Sequence, residues 1–326
     1  LSVGTDARRY VREAIRGGAS DRIEFRVRGD LWDLPFHQAG ADGEFRISAA
    51  LKGVDFAYLP PYLQDEGAPA WPALKAVNGQ LVIEKSSLKL SGLSAGVEGL
   101  PQVRLGEGEV LIPDLMGSPR VEVGARTQGP AAEVLRFVQT SPLDGLLSGA
   151  LTKATGTGNA GVSFKLQLPL EKPEDFALQG SVQLGGNDLR ITPDAPLLER
   201  SSGSISFTER GFRLADARAR LYGGEVALEG GLQPDARGVA KVEFRGQGSA
   251  TAEGLRDGGL GFVSRLFASA SGSAAYTARL GFRGGVPEIS VASSLQGLAV
   301  DLPAPLSKKA EESLPLRYDN AVVGVA

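Results

Sequence analysis

The stretch Val162-Ser163-Phe164-Lys165-Leu166-Gln167-Leu168-Pro169-Leu170 decides the fold class. Its apolar residues stand at every second position, and polar residues or a proline stand between them. In a β-strand successive side chains point to opposite faces, so this alternation predicts a strand with one apolar and one wet face. A helix would instead repeat its apolar positions every three or four residues. The stretch therefore predicts a strand of an antiparallel sheet.

The same alternation recurs along most of the chain. It is found at residues 23–27, 45–51, 81–83, 88–90, 176–178, 205–207, 212–214 and 278–282. Helical spacing is limited to residues 6–17, 130–147 and 252–267. The chain has 44 glycines in 326 residues and only 6% aromatic residues, which suits many strands and tight turns. We predict a mainly β fold with a few helices, arranged as an elongated, curved antiparallel β-sheet or groove.

Pieces of this pattern repeat in order. Residues 79–90 align without gaps to residues 203–214, and residues 44–56 align to residues 288–300. The repeating unit of about 115 to 135 residues is a helix followed by strands, and it occurs as copies at 1–128, 129–250 and, in part, 251–326. A strand unit cannot bury its apolar face alone, so stacked copies extend one apolar surface. We therefore expect a tandem β-array.

Composition excludes several classes of function. With 35 basic and 38 acidic residues the chain has no basic footprint for a nucleic acid. The absence of cysteine excludes disulfides, thiolate zinc sites and cysteine nucleophiles. A single histidine, His37, leaves little room for a metal site or a serine triad. We expect no metal, no cofactor and no enzymatic activity.

Three short motifs could carry chemistry but lack its context. Residues 156–161 have the glycine spacing of a dinucleotide loop, yet a predicted helix precedes them and a strand follows, which favours a connector. Residues 92–96 match a nucleophile elbow, but His37 lies upstream, so a turn between strands is favoured. Glu107 and Glu109 place two carboxylates on one strand face, which is more typical of a solvated face. The sequence predicts no catalytic residue.

The apolar strand faces allow two interpretations. They can form the closed core of a sandwich or barrel, or the floor of an open, curved sheet that holds lipid tails. Small aliphatic side chains and few large aromatics leave room for acyl chains, which favours the groove. The candidate groove residues are Phe25, Val27, Phe45, Ile47, Phe164, Leu166, Phe176, Leu178, Ile205 and Phe207.

Several segments give the sequence a family resemblance. They are Gly-Leu-Ala-Val-Asp-Leu-Pro-Ala-Pro-Leu-Ser-Lys-Lys at 297–309, Gly-Asp-Leu-Trp-Asp-Leu-Pro-Phe at 29–36, Trp71-Pro72, and residues 137–143, 166–170 and 221–224. Together they resemble the central part of the YhdP family of AsmA-like cell-envelope proteins. The resemblance implies a large Gram-negative protein, anchored in the inner membrane by an N-terminal helix, whose periplasmic β-groove conveys phospholipid toward the outer membrane. It implies no catalytic residue.

Two functions follow as hypotheses. The first is a non-enzymatic conduit for phospholipid between the inner and outer membranes, supporting outer-membrane integrity, with acyl chains as the bound partner. The second is a structural or adaptor module of the cell envelope that binds protein partners by β-augmentation. The longest uncharged run, residues 266–278, is shorter than the roughly 20 residues needed to span a bilayer. We expect a soluble periplasmic excerpt of a longer, membrane-anchored chain.

Overall fold

The computed structural model describes residues 4–38, 42–147, 149–234, 240–283, 286–303 and 307–320 of this chain. In that part of the chain it contains eighteen strands, assigned to an antiparallel sheet, and five short α-helices. This confirms the mainly β fold class with a few helices. None of the described helices is both long and apolar enough to cross a membrane.

The chain divides into two compact units. Unit 1 comprises residues 1–153 and 159–181, and unit 2 comprises residues 154–158 and 182–326. The strands that begin in unit 1 are β1 (Ile15–Ala19), β2 (Ile23–Gly29), β3 (Gly43–Phe56), β4 (Leu74–Glu84), β5 (Ser87–Val97), β6 (Leu100–Ile112), β7 (Arg120–Pro130), β9 (Asn159–Pro169) and β10 (Ala177–Arg190), and β10 continues into unit 2. The repeat boundaries at 128 and 250 remain predictions.

Unit 2 contains the rest of β10 and nine further strands. They are β8 (Thr155–Gly156), β11 (Leu198–Thr208), β12 (Gly211–Leu221), β13 (Gly224–Pro234), β14 (Ala240–Thr251), β15 (Ala270–Arg283), β16 (Val286–Ser293), β17 (Leu298–Val300) and β18 (Leu316–Asn320). Most strands pair with their successor in the chain, and β11, β12 and β13 are joined by turns of two residues.

The three helical stretches exist but are shorter than predicted. They are α1 (Thr5–Ala14), α2 (Ala131–Gln139) with α3 (Leu143–Leu146), and α4 (Ala252–Asp257) with α5 (Phe262–Leu266). The second stretch breaks at Pro142, whose ring cannot continue a helix. The third breaks where Gly259 and Gly261 adopt positive φ angles of 69° and 60°.

A line of β-bulges crosses neighbouring strands of unit 1. Each of four successive strands has one residue inside it with φ between 51° and 61°, and the strand register shifts beside it. These residues are Gly53 in β3, Ala76 in β4, Gly92 in β5 and Glu107 in β6. A bulge bends its strand and increases the local twist. Because the bulges are adjacent, they form a bend across the strands, which we call the crease.

The crease has a counterpart in unit 2. Arg200 in β11 and Asp216 in β12 have φ angles of 51° and 50°, again beside register shifts. Arg200 lies three residues before Gly203, as Ala76 lies three residues before its aligned glycine, Gly79. The two copies of the aligned sequence therefore also share their backbone irregularity. The prediction of a turn at residues 92–96 is wrong, because this stretch continues β5 through a bulge.

The strands of each unit end at two different rims. At the turn rim, strands are joined by short turns: residues 30–38, 85–86, 113–119 and 170–176 in unit 1, and residues 209–210 in unit 2. At the helix rim lie residues 57–73 with α2 and α3 in unit 1, and α4 with α5 in unit 2. The helices are packed at this rim, where a buried cluster of unit 2 includes Phe267, Leu295 and Leu298.

Candidate functional site

Strand pairing places the predicted groove residues of β2 and β3 on one face. Directly opposed residues in an antiparallel pair project to the same face of the sheet. Phe25 lies opposite Ile47, and Val27 lies opposite Phe45. A continuous row then crosses four strands of unit 1, running Ile47–Ile83–Leu88–Ile112.

A second row brings Phe164 and Leu166 to the same face. Leu166 lies opposite Val123, and Phe164 lies opposite Ala125. The row continues across unit 1 as Val123–Val110–Leu90–Leu81–Ala49. Ala49 stands two residues after Ile47, so it shares the face of Ile47. Pairing therefore joins six predicted residues, which lie on β2, β3 and β9, into one apolar surface.

The other two predicted residues of unit 1 lie at the beginning of β10. The hydroxyls of Ser163 and Ser181 are 3.1 Å apart, so these two side chains share the face opposite to Phe164. Leu178 lies three residues before Ser181 and therefore projects to the face of Phe164. Phe176 immediately precedes β10 and is half-buried.

Unit 2 carries its own apolar surface. Phe207 lies opposite Phe212, and Ile205 lies opposite Leu214. The second of these pairs belongs to a row that crosses the six strands β11 to β16: Ile205–Leu214–Gly230–Phe244–Leu280–Ile289. The rings of Phe212 and Phe244 are 6.2 Å apart, so the aromatic side chains contact across the face.

Exposure differs between the two sides of the crease. None of the ten predicted residues is buried: Phe25 is 68% exposed, Val27 is also exposed, and the other eight are half-buried. By contrast, residues of the same faces near the helix rim are buried, among them Val103, Ala160, Ala250 and Ala274. The chain's own packing therefore closes the face near the helix rim and leaves it accessible near the turn rim.

The opposite face is charged and holds the crease in place. Asp55 accepts hydrogen bonds from the backbone N–H of Ala76 and from Lys75 Nζ, both at 3.1 Å. These two bonds hold the pKa of Asp55 below its usual range, and the bond from the backbone of Ala76 has the larger effect. In unit 2, Asp188 accepts from the backbone N–H of Arg200 at 2.9 Å. The bulges at Ala76 and Arg200 therefore each have a carboxylate that satisfies their backbone N–H.

The motifs considered for catalysis lie in ordinary structural positions. Residues 156–161 run from the end of β8 through residues 157–158 into the beginning of β9, and Ser94 lies within β5. His37 is exposed on a turn, and Glu107 forms a 2.6 Å ion pair with Arg126. Across the described ranges no group of three or more His, Cys, Asp or Glu residues is placed to hold a metal ion. These positions supply no catalytic geometry.

One buried hydroxyl stands out in unit 2. Tyr276 Oη is buried and has no hydrogen-bond partner among the described residues. Burial, and to a smaller extent the nearby Tyr222, raises the pKa of Tyr276 to about 12. Tyr276 lines an open depression of about 640 Å³ together with Gly248, Ser293 and Leu316. The depression is mainly apolar, so it can accept hydrocarbon better than a polar ligand.

Sequence reasoning missed part of the surface. Ile83, Leu88 and Leu90 stand in predicted strands, but their face could not be known without the register. Val110 and Val123 lie next to glutamates and glycines, which obscure the alternation in β6 and β7. The signal that would have found them is the pairing of each strand with its neighbour, which connects them to Leu166.

One of three comparisons with known proteins identifies the family of the chain. A search of the curated proteins and a search of the solved structures found no match. The model of the family described as YhdP protein matches residues 1–321. This match covers nearly the whole chain and includes every strand described above, so the chain belongs to the YhdP family.

Proposed function

We propose that the apolar face of each unit binds the acyl chains of phospholipids, and that this chain is a non-enzymatic segment of a lipid conduit. The observation that carries the proposal is the accessibility of the face near the turn rim. Rows of Phe, Ile, Leu and Val side chains cross several strands there, and none of the ten predicted residues is buried. Soluble proteins rarely leave such extended apolar surfaces without a ligand or partner.

The energetics suit a carrier. Burial of hydrocarbon contributes about 0.8 kcal/mol per CH₂ group, so two acyl chains on such a face offset much of the cost of leaving a bilayer. The rows of unit 1 that contain Ile47 and Leu166 consist of hydrocarbon side chains. Such a surface offers no fixed hydrogen bonds to one position of the ligand, and an acyl chain can slide along it.

Membership of the YhdP family supports a proposal for where in the cell this activity takes place. We propose that the segment lies in the periplasm, as part of a protein anchored in the inner membrane, and that phospholipid moves along it toward the outer membrane. Loss of the activity would then weaken the outer membrane.

Photocrosslinking tests the proposal. A photoreactive amino acid at Leu88, in the middle of the first row, should crosslink to phospholipid in cells. Asp substitutions at Ile47 and Leu166 should abolish that crosslink, because carboxylates desolvate poorly against hydrocarbon. Asp substitutions at Ser48 and Gln167, which point to the opposite face of the same two strands, serve as the matched control and should preserve it. Survival of the crosslink in the folded Ile47→Asp/Leu166→Asp variant would refute the assignment.

A second candidate function is the structural or adaptor module, and the edge strand β2 of unit 1 favours it. Within the described ranges β2 pairs only with β3, so one side of β2 has free backbone groups that another strand could complete. A photoreactive residue at Glu24 on this edge should then capture a protein, whereas Leu88 should capture no lipid. The opposite result supports the conduit.

A further inference from the structure

The helix rim of unit 1 is closed by the chain itself. Glu133 of α2 is buried, and its carboxylate accepts hydrogen bonds from the backbone N–H groups of Gln102 and Val103 at 2.9 and 3.1 Å. These bonds fix α2 against the beginning of β6. Beside it, the ring of Trp71 lies 6.4 Å from Phe137 of α2 and 6.4 Å from the ring of Tyr58. A ligand cannot reach the face across this rim without displacing these side chains.

At the turn rim, by contrast, two turns hold apolar side chains out toward solvent. Asp30 Oδ1 accepts a hydrogen bond from the backbone N–H of Trp32 at 3.0 Å. In another turn of the same rim, Asp114 Oδ1 accepts from the backbone N–H of Met116, also at 3.0 Å. Both turns have the sequence Asp-Leu followed by a large apolar residue. They hold Leu31, Trp32, Leu115 and Met116 outward, and Trp32 is 95% and Met116 56% exposed.

The first of these turns is held on the apolar face. Phe36 is 1% exposed, and a Cβ added at Gly43 would stand 2.3 Å from its ring. Gly29 and Gly43 are opposed to each other, two residues beyond the Val27–Phe45 pair and on the same face. The ring of Phe36 therefore covers the end of that face and ties the turn to it. Trp32 is displayed by a fixed turn.

The second turn is joined to its neighbour along the rim. The backbone N–H of Leu115 donates to the carbonyl of Ser86, in the turn between β4 and β5, at 2.7 Å. The four outward side chains form what we call the lip: Leu31, Trp32, Leu115 and Met116. The charges nearest to them in sequence, Asp30, Asp33 and Asp114, are acidic and would repel an anionic membrane surface. The lip therefore suits hydrocarbon from a single lipid better than docking to a bilayer.

We propose that acyl chains reach the apolar face of unit 1 across the turn rim, over the lip, while the helix rim stays closed. The inference rests on the proposed function, since it assigns the side from which the same ligand enters. On the same face as the Gly29–Gly43 pair that Phe36 covers, the exposed Phe25 and Val27 and the half-buried rows offer the next apolar side chains.

The two tryptophans of the chain provide a matched test, since Trp32 lies on the lip and Trp71 at the helix rim. The variant Trp71→Phe reports only on Trp32, and Trp32→Phe reports only on Trp71. Each protein is loaded with phosphatidylethanolamine whose acyl chains carry bromine, which quenches tryptophan fluorescence on contact, and is then separated from free lipid. We expect Trp32 to lose most of its fluorescence relative to the unbrominated lipid, and Trp71 to keep it.

The outcomes separate the two proposals. Equal quenching of both tryptophans, or quenching of Trp71 alone, overturns the assignment of the turn rim. Bound lipid without quenching of Trp32 overturns it as well, although the face would still bind lipid. Absence of any bound lipid overturns the proposed function itself.

A rate measurement gives an independent check. Leu31→Ser combined with Trp32→Ser should slow lipid uptake severalfold without reducing the amount bound at equilibrium. Leu63→Ser is the control, because Leu63 is an exposed leucine at the helix rim. If Leu63→Ser slows uptake as much as the lip variant does, acyl chains do not pass over the lip.

Discussion

Two leucine truncations in unit 1 distinguish an accessible apolar face from a closed core. Leu166 lies on the half-buried row near the turn rim, whereas Leu100, at the start of β6, is 2% exposed. Leu→Ala at a closed core site costs about 3 to 5 kcal/mol, because the transfer energy is lost and a cavity remains. Full burial of a leucine side chain contributes about 1.5 to 3 kcal/mol to stability. Truncation of a leucine that water already reaches removes only part of this contribution and leaves no cavity. We therefore expect the free energy of unfolding to fall by about 1 kcal/mol in Leu166→Ala and by at least about 3 kcal/mol in Leu100→Ala.

The assay is equilibrium unfolding in urea, followed by the fluorescence of Trp32 and Trp71, both of which lie in unit 1. Lipid is removed beforehand, because a bound ligand stabilises the folded state. The slopes of the unfolding curves should match the wild type, so that the midpoints report stability. Equal losses of 3 kcal/mol or more at both positions would show that Leu166 is enclosed, and the groove would have to be abandoned.

Three further predictions concern single side chains. Tyr276→Phe removes a buried hydroxyl without a partner and should leave the stability unchanged or raise it by up to about 1 kcal/mol, measured by thermal unfolding. Glu133→Ala leaves two backbone N–H groups of β6 unsatisfied and should cost about 2 to 4 kcal/mol in urea unfolding. The pKa of Asp55 is lowered in the folded state, so its stabilisation is present above the ordinary aspartate pKa and is lost as the pH falls through the folded value. Below about pH 4 the free energy of unfolding should therefore fall less steeply with pH in Asp55→Asn than in the wild type, measured by unfolding at a series of pH values.

Much of the fold follows from the period-2 alternation. The pattern at residues 162–170 predicts β9 and its apolar face, and Lys165 and Gln167 on its other face are exposed, as the alternation requires. The helical stretches are also located correctly, because proline and glycine mark where they break. These signals are local, so a single sequence contains them.

The crease and the difference between the rims depend on non-local contacts. Gly53 and Gly92 hint at irregular backbone, but Ala76 and Glu107 adopt positive φ angles without any signal in their residue types. Their conformations are fixed by neighbouring strands, for example by the Asp55 carboxylate that binds the N–H of Ala76. For the same reason the sequence predicts a turn at residues 92–96, where β5 instead continues through the bulge at Gly92. Which half of the apolar face is closed depends on helices that pack from elsewhere in the chain, so the alternation alone cannot indicate it.

The most direct test of a lipid-binding apolar face is to extract the purified chain with organic solvent and quantify phospholipid by mass spectrometry. Wild-type protein should carry phospholipid in a reproducible molar ratio, and the Ile47→Asp/Leu166→Asp variant should carry much less at unchanged secondary structure. A wild-type protein free of lipid, or a variant that retains as much as the wild type, would contradict the account.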